Sequence, residues 1–233
     1  MNRTRIEWCD FTWNPITGCT RGCTDTNGRP YCYARRMAYR LRGRAGYPQD
    51  EPFRPTFHPD RLEEPYETKS SAKIFVCSMG EMFDPGVRSS WVDQVLAEMR
   101  NAPWHTYQIL TKQASRVKEF HFPEYVWLGC SQDGRTTNIA DIEHILYAES
   151  PGIRFVSFEP LLGPIERIPE VPLYAIDWFI IGAQTGPGAA PPKKEWVQDI
   201  IDMAHGAGAP VFLKDNLHWP ETVKEYPKEA EEK

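Results

Sequence analysis

Short apolar runs alternate along the chain with longer stretches in which apolar residues recur every three or four positions. Six runs are sharply bounded: Lys73–Ser78 (KIFVCS), Thr106–Thr111 (TYQILT), Val126–Cys130 (VWLGC), Ile153–Phe158 (IRFVSF), Trp178–Gly182 (WFIIG) and Pro210–Leu213 (PVFL). A seventh, less well defined, lies around Phe11–Thr17. They are nearly continuous in Ile, Val, Leu, Phe and Trp, the pattern of strands covered on both faces in a parallel sheet. Between them, Ser89–Arg100 places Trp91, Val92, Val95, Leu96 and Met99 on one helical stripe, with serines placed to cap its start. Thr136–Ala148, Lys193–His205 and Tyr33–Arg42 also read as helices, whereas Ser115–Phe120 is short and Leu161–Ile176 loop-like.

Strand–helix alternation predicts an α/β fold with a parallel sheet. Six or seven units suggest a complete or partial TIM-like (β/α) barrel in a single domain, with a doubly wound sheet as the alternative. In either architecture the functional groups belong at the C-terminal ends of the strands. Residues 1–218 are expected to form this domain. Residues 219–233, charged and without an apolar run, are expected to fray as a tail.

Composition narrows the class. Hydrophobic residues make up 41% of the 233 and charged residues 25%, as in an ordinary globular chain. The net charge of −5 argues against a broad basic coat for nucleic acid but leaves room for a local basic groove. No apolar run is long enough to span a membrane, and the first residues lack the apolar core of a secretory signal, so a cytoplasmic location is expected. In that compartment clustered cysteines bind metal or do chemistry more often than they form disulfides.

Three of the six cysteines fall together in TGCTRGCTDTNGRPYC, spaced C-x3-C-x8-C on the loop between the first strand and the first helix. Cys19, Cys23 and Cys32 can wrap a soft metal or cluster without help from distant chain. A four-iron cluster held by three thiolates keeps one iron open, whereas structural zinc usually takes four protein ligands. Iron–sulfur cluster, zinc and free thiols are the three readings of this loop.

The loop resembles the cluster loop of the radical SAM superfamily, whose usual spacing is C-x3-C-x2-C. The first gap matches and the second is six residues longer. Tyr31 stands where that family places an aromatic beside the adenine. Gly80 and Glu81, after the second strand, match a Gly-Gly-Glu-like turn that contacts the methionine amino group, with Met79 in place of the first glycine. More narrowly, IEWCDFTWNPITGCT, CYARRMA, IFVCSMGEMFD, HTYQILTK, WLGCS, RFVSFEPLLGPI and DWFIIGAQTG resemble an uncharacterised phage- and prophage-associated family with a radical-SAM-like three-cysteine motif. The resemblance runs from Ile6 to about Asn216 and leaves the substrate open.

Polar residues follow five of the strands: Thr111-Lys112, Ser131-Gln132-Asp133, Glu159, Gln184-Thr185 and Lys214-Asp215-Asn216. In register they predict a polar mouth. Within it Lys112 is a candidate for the methionine carboxylate or an anionic substrate, and Ser131 and Gln132 for the ribose. Gly182, Gly186 and Gly188, with Gln184 among them, are candidates for close approach to cofactor. Glu159 and Lys214 are candidates for substrate contact or proton transfer, or for a structural ion pair with each other. Cys77 and Cys130 read as small core residues, with Cys130 an alternative hydrogen-atom donor. Arg35, Arg36, Arg40, Arg42 and Arg44 read as a solvated helix face or a phosphate or nucleic-acid contact.

The resemblance implies a [4Fe–4S] cluster on Cys19, Cys23 and Cys32 that reductively cleaves S-adenosylmethionine (SAM) to a 5′-deoxyadenosyl radical, which takes hydrogen from a substrate. It also implies an electron donor such as flavodoxin or ferredoxin. The rivals are a non-catalytic zinc or iron–sulfur protein acting through a partner, and a radical SAM enzyme of nucleic-acid repair or modification.

Overall fold

The computed structural model describes residues 1–135, 138–149, 151–165 and 173–228. In chain order its strands are β1 (Asn2–Arg3), β2 (Phe11–Trp13), β3 (Ile16–Thr17), β4 (Thr56–Phe57), β5 (Lys73–Val76), β6 (Thr106–Thr111), β7 (Val126–Ser131), β8 (Ile153–Phe158), β9 (Trp178–Ile181) and β10 (Val211–Leu213). The helices are α1 (Tyr33–Arg40), α2 (Ser89–Asn101), α3 (Ile139–Leu146) and α4 (Lys194–Gly206). The fold is α/β. Eight strands form one sheet in the order β1-β2-β5-β6-β7-β8-β9-β10, and only the β1–β2 pair is antiparallel. From β5 onward each strand pairs with the next along the chain. The reversal of strand order that marks a doubly wound sheet is absent from this sequence of neighbours.

Side chains alternate across the strands, as the pleat requires. Ile74, Val76, Ile109, Leu128, Val156, Phe179 and Val211 point to the helix side, where Val92 and Val95 of α2, Ile142 and Ile145 of α3 and Val197 and Ile200 of α4 cover them. Phe75, Trp127, Phe155, Trp178 and Phe212 point to the other side and pack on one another. Trp8, from the loop before β2, fills the middle of this aromatic layer, 4.8 Å from the Phe75 ring and 6.4 Å from those of Phe155 and Trp178. Both faces are therefore apolar, which is why the strands read as continuous apolar runs.

Three local expectations need correction. The stretch Phe11–Thr17 is two strands: β2 joins the main sheet, while β3 pairs with β4 in a separate ribbon. Ser89 and Ser90 do not cap α2; Arg88 is its N-cap, without a side-chain bond, and both serines are already helical. The short segment expected at Ser115–Phe120 forms a 3-10 helix over Ala114–Glu119. The tail does not fray over residues 219–228. Leu213 N–H donates to Val223 O and Glu225 N–H to Val211 O, so this segment runs beside β10. The Tyr226 ring stacks on Trp178 at 5.4 Å, and Trp178 Nε1 donates to Glu225 O at 2.8 Å. Residues 229–233, Thr136 and part of the 161–176 loop lie outside the described residues.

The loop between β1 and β2 reaches the segment that follows β10. Glu7 accepts the Asp215 N–H at 3.0 Å and pairs with Lys224, while the Tyr226 hydroxyl donates to Glu7 O.

Candidate functional site

The polar residues after the strands converge. Ser78–Glu81 follow β5, Lys112 follows β6, Ser131 ends β7, Glu159 follows β8, Gln184 follows β9 and Lys214 follows β10, and all line one cavity of about 820 Å³. Trp8, Phe75 and Leu110 of the aromatic layer form its floor. A second, polar hollow of about 430 Å³ adjoins it and shares Cys23, Tyr31, Lys112 and Ser131.

Cys19, Cys23 and Cys32 all line the larger cavity as free, half-buried thiols. Two of them are oriented by backbone donors: Arg21 N–H reaches Cys19 Sγ at 3.2 Å and Arg35 N–H reaches Cys32 Sγ at 3.4 Å. Cys32 is also the N-cap of α1. Burial, reinforced by Glu81 and Asp84, pushes the Cys19 thiol up to about 12, and burial raises Cys32 as well. Such thiols hold their protons at neutral pH until a metal displaces them. These three are the residues able to hold a soft metal or an iron–sulfur group. Among the described residues, no three His, Cys, Asp or Glu side chains gather closely enough around one point to hold a single ion.

The cysteine loop is fixed from both sides. Gly18 and Gly80 form an isolated parallel bridge, with Gly18 N–H donating to Met79 O and Glu81 N–H to Gly18 O. A Cβ on Gly80 would lie 2.8 Å from Gly18 backbone, so Gly80 makes room for the cysteine loop. Asp84 is fully buried and accepts the Thr20 N–H and hydroxyl, the Gly86 N–H and the Gln113 amide. Asn14, also buried, accepts Met79 N–H at 2.8 Å and the Ser78 hydroxyl at 3.2 Å. Neither was singled out from sequence, although both stand in the motifs TWNP and GEMFD.

Glu81 lines the cavity but is satisfied from within. It accepts the Thr111 hydroxyl at 2.7 Å, Lys112 N–H at 2.9 Å and Phe83 N–H at 3.2 Å. Burial raises its carboxyl above the usual range against those donors. Lys112 Nζ donates to the Tyr31 hydroxyl at 3.1 Å and lies 5.4 Å from that ring's centre. Burial opposes the ammonium, but Tyr31 and Cys23 raise its pKa on balance.

Glu159 and Lys214 form an ion pair in the cavity wall. Gly182 exists for that pair: a Cβ there would come within 3.0 Å of Lys214 and 3.1 Å of Glu159. Ser131 donates to Glu159 O at 3.2 Å. Gln132 is buried in the smaller hollow, where it accepts Asn138 N–H at 2.9 Å and so anchors the start of α3. Like Gly182, Cys130 lines neither hollow. It is fully buried on the helix side of the sheet and does not line the cavity.

A family model described as "Protein of unknown function (DUF5131)" matches residues 3–233. The chain belongs to that family. No curated protein and no solved structure matches it. In this DUF5131 chain the cysteine loop, the turn after β5 and five strand ends thus face one cavity. Tyr33 and Met37 of α1, which sequence did not single out, complete its wall; the Tyr33 hydroxyl donates to Ser78 O.

Proposed function

We propose that this chain is a radical SAM enzyme that works in the cytoplasm, with a [4Fe–4S] cluster on Cys19, Cys23 and Cys32 and SAM in the adjoining cavity. We read its sheet as a partial barrel: seven parallel strands follow one another without reversal around an aromatic interior. The observation that carries the reading is the placing of three free thiols on one wall of a large cavity at the C-terminal ends of those strands. The donor set suits the group, since a four-iron cluster takes each thiolate on a different iron instead of gathering them around one point.

When bound, the cluster and SAM supply one-electron cleavage of the sulfonium and hydrogen abstraction from substrate. The chain's own residues bind, orient and exclude water. Trp8, Phe75 and Leu110 give the cavity a dry floor. Lys112, held against Tyr31, presents a fixed positive charge for a carboxylate. Ser131 and Gln184 offer neutral hydrogen bonds for hydroxyl groups, and the Glu159–Lys214 pair offers a donor and an acceptor side by side.

Anaerobic reconstitution with iron and sulfide, then dithionite and SAM, tests the proposal. Expected are about four irons per chain, lost in Cys19→Ala, Cys23→Ala and Cys32→Ala, together with formation of 5′-deoxyadenosine. Zinc in place of iron, with SAM left intact, would overturn it.

A further inference from the structure

The exposed face of α1 has a charge that the rest of the chain lacks. The chain carries 32 acidic and 27 basic residues, yet the twelve residues Tyr33–Arg44 hold five arginines and no lysine, aspartate or glutamate. Arg35, Arg36, Arg40, Arg42 and Arg44 are all exposed. Among the described residues none of the five makes a salt bridge. Arg36 and Arg40 stand four apart on the helix, where like charges repel. The side-chain contacts they do make leave their charge unneutralised. Arg36 donates to Tyr31 O at 3.0 Å and Arg44 to Arg40 O at 2.6 Å, while Arg35 and Arg42 lie 5.9 and 5.3 Å from the Tyr39 ring centre.

The second feature is flat and aromatic. Tyr39 is 44% exposed between Arg35 and Arg42, and Tyr33 is 51% exposed where α1 forms the cavity wall. The apolar side of the helix is already used: Ala34 and Ala38 are buried against Tyr47 and Phe53. On its free side Met37, 40% exposed, is the one aliphatic side chain beside Tyr33 and Tyr39, short of the apolar ridge that enters a lipid surface. Planar guanidiniums match phosphate oxygens in pairs, and tyrosine faces match unpaired bases. Towards the cavity the Arg36 guanidinium lies beside Gly186, two residues from the cavity-lining Gln184, while Arg29, paired with Asp25, donates to Gly188 O at 3.1 Å.

We propose that α1 and the loop after it bind single-stranded nucleic acid, its phosphates on the arginines and its bases on Tyr39 and Tyr33, so that one nucleotide enters the cavity. As the substrate class of the enzyme this rests on the radical SAM reading; as a binding surface it does not.

The test is fluorescence anisotropy of the full chain, as isolated and after reconstitution, with labelled single-stranded DNA and RNA of about 12 nucleotides. A duplex, polyglutamate and anionic vesicles serve as competitors. The single strand is expected to bind, with log affinity falling by about 0.7 per contacted phosphate for each unit of log salt. Arg35→Gln with Arg36→Gln and Arg40→Gln should weaken binding at least tenfold and flatten that slope by about 2. The corresponding triple lysine variant should recover the slope. Tyr39→Ala should weaken binding about tenfold and leave the slope unchanged. A preference for DNA or RNA identifies which strand the surface serves. No binding at low salt, indifference to Tyr39→Ala, or equal competition by duplex, polyglutamate or vesicles would overturn the proposal. SAM cleavage by a chain that binds no strand removes this proposal and leaves the radical SAM reading standing; strand binding by a chain that takes up no iron removes the chemistry and leaves the binding surface standing.

Discussion

The buried Asp84 carboxylate accepts both the backbone N–H and the hydroxyl of Thr20, at 2.7 and 2.8 Å, and so ties the turn after β5 to the residue that follows Cys19. One side chain thereby sets the height of the first thiol in the cavity. Asp84→Asn keeps the shape but replaces an acceptor oxygen with a donor, leaving a buried N–H unpaired. The expected cost is about 1–3 kcal/mol of stability in urea unfolding, and about 10–100-fold in metal affinity on reconstitution. Burial pushes this carboxyl up, but its four donors outweigh burial and hold it below the usual range. Its contribution is therefore present above about pH 4 and lost below, so wild type and variant should converge in acid. A variant that loads iron as wild type does would show that the loop holds its place without this tether.

His58 gives a second pH dependence, of a different kind. It is buried beside Thr17, with Nε2 and the hydroxyl oxygen 2.8 Å apart, and burial together with Arg61 pushes its pKa down to about 4. The unfolded value lies near 6.5. With the folded value depressed, the stabilising contribution is complete above about pH 6.5 and drains away between about 6.5 and 4. At pH 5 the loss amounts to about 2 kcal/mol. Urea midpoints at pH 7 and pH 5 should therefore differ less in His58→Gln than in wild type. An equal difference in the two proteins would mean that the imidazole is charged in the fold.

The Glu159–Lys214 pair separates structure from chemistry. Glu159→Gln or Lys214→Met alone leaves a half-buried charge facing the cavity and should lower stability by about 1–3 kcal/mol. The double variant should regain most of that loss. If the pair also touches substrate, activity will stay low in the double variant while the melting temperature recovers. Recovery of both would assign the pair to the cavity wall alone.

Tyr226 carries the fourth expectation. Its ring stacks on Trp178 and meets Phe212 edge-on at 5.4 Å, with Lys73 4.9 Å from its centre. Tyr226→Ala should cost about 2–4 kcal/mol, because the aromatic interior cannot collapse into the space. Denaturant unfolding checks this, and a loss under 0.5 kcal/mol would fit the frayed tail expected from sequence.

The strands were legible because both faces of the sheet are apolar. β6 and β8 match the boundaries expected from sequence, and β7 and β9 differ by one residue. Residue parity went unread. In β7, Trp127 faces the interior, Leu128 the helices, Cys130 the helices and Ser131 the cavity. Counting by two from the aromatics would have set Cys130 aside and kept Ser131. Trp8 and Tyr226 escaped notice for another reason. They lie outside any strand, and their place is set by contacts across the whole chain. Asp84 and Asn14 were hidden because a buried acceptor of backbone N–H groups looks, in one dimension, like any loop residue.

The contact between the loop before β2 and the chain after β10 differs in kind from the ladders of the sheet. Strand neighbours within the sheet are laced by backbone hydrogen bonds, whereas the loop between β1 and β2 meets the chain after β10 through Glu7, with Lys224 and the Asp215 amide. Glu7 thus acts as a clasp between the first loop and the end of the sheet. Because that clasp is a part-buried ion pair, added salt weakens it more than the backbone ladders of the sheet.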